Sequence, residues 1–98
     1  GARHLVELMQ RIGFGRIENV CVVGGEPTFT PMPRVVREVK LGVAPGGDAA
    51  DRPAEFALKQ AVVDLLAELR MTGEGATVSI EVRHGLPHRL LVQEVANG

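Results

Sequence analysis

The apolar positions of the chain follow two periods in turn. Leu5, Leu8, Met9 and Ile12 recur at helical spacing within residues 3–12, and Gly13 is placed to end that helix. Residues 16–23 (RIENVCVV) read as a strand, Gly24-Gly25-Glu26-Pro27 breaks it, and residues 34–41 (RVVREVKL) read as its return. A stretch holding Gly42, Pro45, Gly46, Gly47 and Asp48 has linker chemistry, and after it the same order begins again. Asp51 is an N-cap candidate with Pro53 in the first turn. Leu58, Val62, Leu65, Leu66 and Leu69 form a longer helical stripe, backed by Phe56 and Ala61, and Thr72-Gly73-Glu74-Gly75 stops it. Residues 76–83 alternate strictly, with Val78, Ile80 and Val82 on one face and Thr77, Ser79, Glu81 and Arg83 on the other. His84-Gly85 makes a tight turn into a last strand at residues 88–95.

The order recurs because the residues do. A shift of 60 positions lays Leu5 on Leu65, Gly13 on Gly73, Gly15 on Gly75, Val22 on Val82, Gly25 on Gly85 and Pro27 on Pro87. A shift of 56 aligns Val36 with Val92, Glu38 with Glu94 and Val39 with Val95, so the first copy holds four extra residues in its hairpin loop. The pattern predicts one α+β domain made of two αββ repeats: unit 1 at 2–42, a linker at 43–52 and unit 2 at 53–98. A lone hairpin is marginal in water, so the two units are expected to share a four-stranded antiparallel sheet with both helices on one face.

Differences between the copies point to speciality. The phase of the second copy, carried onto the first, turns Glu18, Val20 and Val22 toward the helices and Ile17, Asn19, Cys21 and Val23 outward. An outer face holding Ile17, Cys21 and Val23 should not stand in water, which predicts its burial in a homodimer. The inserted segment Thr28-Phe29-Thr30-Pro31-Met32-Pro33 is stiffened by its prolines. Phe29 and Met32 are therefore either partner contacts or plugs for the domain's own core. On the return strand Val35, Val39 and Leu41 are expected inward, which carries Arg37 inward, and Gln93 holds the matching place in the second copy. That pair is a candidate polar or small-anion site on the repeat axis, unless both side chains reach out to the sheet edge.

Composition narrows the classes. Among 98 residues, 45% hydrophobic and 23% charged content exclude a disordered chain. A net charge of −1 argues against a general polyanion binder, although six basic and four acidic residues in 1–42 contrast with five basic and eight acidic in 43–98. That asymmetry is small, and is compatible with pairing of the basic half of one copy with the acidic half of another. A single cysteine, Cys21, allows no internal disulfide, and neither a signal-peptide pattern nor a membrane-length apolar run is present, so a reducing cytoplasm is expected.

Candidate chemistry is sparse. His84 and His88 stand at H-x3-H spacing, but across a turn rather than along a helix, and His4 opens the first helix. Cys21 has no base near it in sequence, Ser79 sits in a regular strand, and Gly13-Phe14-Gly15 follows a helix where a phosphate loop would precede one. No catalytic residue, metal or cofactor is expected. Arg34, Arg37 and Lys40 raise sheet-face nucleic-acid binding, against which stand the charge balance and the scarcity of aromatic residues.

The first copy resembles the YezD-like group of small uncharacterised bacterial proteins. The resemblance is carried by Leu5-Val6-Glu7-Leu8, Ile12-Gly13-Phe14-Gly15 and Pro33-Arg34-Val35-Val36-Arg37-Glu38-Val39-Lys40. It implies a bacterial cytoplasmic protein with an αββ element, and it carries over no functional residue. The expectation from the sequence is a non-enzymatic protein acting by self-association and protein–protein interaction. Nucleic-acid binding on the sheet face and a small anion at the repeat axis are the alternatives.

Overall fold

In the computed structural model, residues 2–42, 55–73 and 75–94 are described, with side chains in the second helix from Lys59 onward. The expected linker, the Asp51 cap with Pro53, and the Phe56 and Leu58 positions lie outside these residues and side chains. The elements run α1 (Ala2–Ile12), β1 (Gly15–Val23), β2 (Glu26–Thr28), β3 (Arg34–Arg37), α2 (Glu55–Met71), β4 (Thr77–Arg83) and β5 (Leu86–Gln93). The fold is α+β: two helices and an open five-stranded sheet in which every pairing is antiparallel.

Five strands replace the expected four because the first return strand is split. β2 pairs with the C-terminal end of β1 through Val22↔Pro27, and β3 pairs with its N-terminal end through Ile17↔Val35. The segment at 29–33 leaves the sheet between them. Pro27 fits β2 because an edge strand does not need every amide for the ladder. β1 then pairs with β4, and β4 with β5, which places the β2/β3 edge and β5 at opposite sides of the sheet. Val39 and Leu41, expected inward, lie beyond the end of β3 and are exposed.

The core lies between the helices and one sheet face. Leu5, Met9 and Ile12 from α1 and Leu65 and Leu69 from α2 close on Ile17, Val20, Val22, Val78, Ile80 and Val82. No polar or charged side chain is buried among the described residues.

Ile17 is 0% exposed, which corrects its expected place on the outer face. The cause is a bulge. β1 advances three residues from Ile17 to Val20 while its partner advances two, from Ile80 to Val78, and Asn19 takes φ 62° within the extra step. A bulge of this kind reverses the alternation behind it. Ile17 and Val20 thus both face the helices, and Glu18, expected inward, turns outward to Arg16 and Arg34.

Two turns tie the halves together. Gly24-Gly25 and His84-Gly85 each have both central residues at positive φ, as two-residue hairpins of the I′ type require. Gly25 of the first hairpin rests on the backbone of Arg70 in α2, and Gly85 of the second rests on that of Gln10 in α1. The Gly85 amide also donates to the Gly13 carbonyl at the end of α1, at 2.9 Å.

Candidate functional site

A cleft of about 450 Å³ lies between α1, the 29–33 segment and β3. α1 presents His4, Leu8 and Arg11, one turn apart in each step and beside the buried stripe of Leu5, Met9 and Ile12. β3 presents Val35 and Arg37, whose register partners Ile17 and Gly15 set them on the helix side of the sheet. Phe29 and Met32 form the third wall.

The walls do different work. Phe29 is half-buried against the core and meets the His4 ring edge-on, with centroids 4.6 Å apart. Of the two sequence alternatives for Phe29, the plug describes its packing. Met32 is 86% exposed and Val35 46%, so the cleft keeps an apolar lip in water. His4, Arg11 and Arg37 stand around that lip, and none of the residues lining the cleft is acidic. The site is an apolar trough with a cationic rim.

A second and smaller groove, about 250 Å³, runs along the other side of the sheet between α2 and β5. Ala61, Asp64, Leu65 and Glu68 descend from α2 toward Pro87 and Leu90, with His88 and Arg89 on the strand. The Arg89 guanidinium is engaged on the outer face with Glu81 at 3.5 Å, and Gln60 donates to the Asp64 carboxylate at 2.8 Å. Here the helix contributes acid where α1 contributes base.

Arg37 and Gln93 do not meet. Arg37 lies in the β3 cleft on the helix side, whereas Gln93 pairs with Thr77 on the outer face of the opposite edge strand. The cause is a bulge at His88: Glu81 opposes Arg89, yet Val82 opposes Pro87. The extra residue reverses the alternation of β5 and turns Gln93 outward. The expected anion site at the repeat axis is therefore not formed.

The outer face mixes charged and apolar groups. Glu18 forms ion pairs with Arg16 at 3.1 Å and with Arg34 at 3.8 Å. Arg34, raised as a phosphate contact, is thus already shared with a carboxylate. The apolar groups expected on this part of the face reduce to half-buried Cys21 and to Val23, 57% exposed. Lys40, the other basic candidate, stands over the Phe14 ring at 5.4 Å, and Phe14 meets His84 edge-on at 4.9 Å. Among the described residues no group of three or more His, Cys, Asp or Glu side chains is gathered for a metal. No helix of the described residues is long and apolar enough to cross a membrane.

The sequence points to Phe29, Met32 and Arg37 of the cleft, sets Leu8 in the helical stripe and Val35 inward, and leaves the joint face of His4, Leu8 and Arg11 unread. A signal for the helical three was present, since they repeat at 4, 8 and 11 alongside the core stripe at 5, 9 and 12. No family model matches the chain, and neither a curated protein nor a solved structure is significantly similar to it.

Proposed function

We propose that this chain is a non-enzymatic association domain that self-associates, and that the cleft between α1, the 29–33 segment and β3 is one of its docking surfaces. The observation that carries the reading is the apolar lip: Met32 and Val35 stand exposed beside half-buried Phe29, at a strand that pairs on one side only among the described residues. An occupant of such an edge gains backbone ladder bonds from β3 and apolar contact from the lip. Burial of Ile17 takes one of the three expected apolar groups from the outer sheet face, and the proposed surface moves to the edge, where Met32 and Val35 stand exposed. Two αββ units sharing one sheet remain the architectural reading, supported by the reciprocal seating of Gly25 on Arg70 and Gly85 on Gln10 at positions 60 apart. A bacterial cytoplasmic setting belongs to the same proposal and rests on composition and the YezD-like resemblance.

Sedimentation velocity over a wide concentration range tests it. The expected result is a mass above that of the monomer for the wild type and a folded monomer for the Met32→Glu, Val35→Glu double variant. A wild type that stays monomeric at every concentration overturns self-association; an unchanged assembly in the variant overturns the cleft as its site.

A further inference from the structure

The two helix–strand grooves occupy corresponding places at opposite edges of the sheet and carry opposite charge. His4, Leu8 and Arg11 point into the groove at β3. Sixty positions on, Asp64 and Glu68 take the places of His4 and Leu8 in the groove at β5. Arg37 adds a further cation on the β3 side. Arg89 of the β5 groove is held by Glu81, which leaves the two α2 carboxylates and His88 as the polar groups of that groove not tied to the outer face.

Both edges also leave apolar side chains in water: Val35 and Met32 at one, Leu91 (52% exposed) and Val92 (42% exposed) at the other. Strand directions match as well. β3 is antiparallel to β1, β1 to β4 and β4 to β5, so β3 and β5 of one copy run in opposite directions. A second copy set beside the first in the same orientation brings its β3 against β5 as another antiparallel pair, with all helices on one face.

From this we infer that the chain associates head to tail with copies of itself, the basic α1–β3 groove of one copy meeting the acidic α2–β5 groove of the next. The inference rests on the proposed self-association and adds its geometry. Symmetric pairing is disfavoured by the same charges. Joining two β5 edges sets Asp64 and Glu68 against their own copies, and joining two β3 edges does the same to Arg11 and Arg37. A head-to-tail contact leaves a free groove at each end, so it extends into a chain or closes into a ring of more than two subunits.

A charge-swap mixture tests the arrangement. Arg11→Glu with Arg37→Glu makes both grooves acidic, and Asp64→Lys with Glu68→Lys makes both basic; all four residues are exposed, and circular dichroism verifies each fold. The expected result is wild-type mass that grows past the dimer with concentration and falls in high salt. Each variant alone should associate at least about tenfold more weakly, and an equimolar mixture should recover the assembly. If either reversed pair fails to fold, Arg11→Gln with Arg37→Gln and Asp64→Asn with Glu68→Gln replace them, each expected to weaken the assembly. Variants that assemble as the wild type does overturn the head-to-tail contact while self-association stands. A wild type that stops at a closed dimer also overturns the arrangement alone. A wild type that is monomeric throughout overturns self-association with it.

Discussion

Gly25 lies against Arg70 so closely that a Cβ on the glycine would stand 3.1 Å from the Arg70 Cα. The corresponding distance from Gly85 to the Gln10 Cα is 3.2 Å, and both glycines have positive φ, 79° and 74°. Gly25 and Gly85 thus each have two independent reasons to lack a side chain.

Replacing either glycine by alanine should therefore destabilise the fold. The conformational part alone is about 1–2 kcal/mol, and contact with a helix backbone adds to it. Urea unfolding of Gly25→Ala and Gly85→Ala should show the loss in both. Gly24→Ala is the control, because it shares the positive φ but meets nothing within 4 Å. It should lose only the conformational part.

Asn19 decides on which side of the sheet Ile17 lies. Asn19→Gly should be close to neutral, since glycine accepts φ 62° freely. Asn19→Val should cost about 1–2 kcal/mol or more, because a β-branched residue resists the left-handed region. Thermal denaturation of the two variants beside the wild type reads the difference.

Ile17 and Val23 belong to one strand and should answer truncation differently. Ile17→Ala removes a fully buried side chain and should cost about 2–5 kcal/mol. Val23→Ala removes an exposed one and should stay within about 0.5 kcal/mol. Equal losses in urea unfolding would contradict the position of the bulge.

Glu18 joins Arg16 and Arg34 on the outer face, with its side chain 28% exposed. Glu18→Gln should cost about 1 kcal/mol or less, as partly exposed ion pairs do. The gap from the wild type should narrow in 1 M salt, where the screening length is about 3 Å. Chemical denaturation with urea, which adds no ions, is the suitable readout.

Periodicity revealed the elements well and their faces less well. The stripes of Leu5, Met9 and Ile12 and of Leu65 and Leu69, the alternation of Val78, Ile80 and Val82, and the His84-Gly85 turn all stand where pattern alone puts them. Each is a local property of a few neighbouring residues. The failures share one origin. Counting in twos through a strand puts Ile17, Glu18 and Gln93 on the wrong face, because each lies past a bulge that adds one residue to the count. The pair Glu18-Asn19 between Ile17 and Val20 held the clue, because asparagine tolerates positive φ better than other residues with a side chain. Val39 and Leu41 failed otherwise: their β-propensity is real, but β3 ends at Arg37. The cleft was half visible because the proline-rich 29–33 segment stands out in the sequence, while His4 and Arg11 resemble any solvated helix positions until β3 is set beside them.

The crossed seating of the two turns also bears on how the chain can come apart. The first hairpin packs on α2 and the second on α1, and one core draws on both helices and on β1 and β4 together. Stability in such a molecule is held in common. Fluorescent probes placed in the two halves should report one unfolding event with a single midpoint. Separate peptides for the halves, unstructured alone, would be expected to recover the native sheet when mixed.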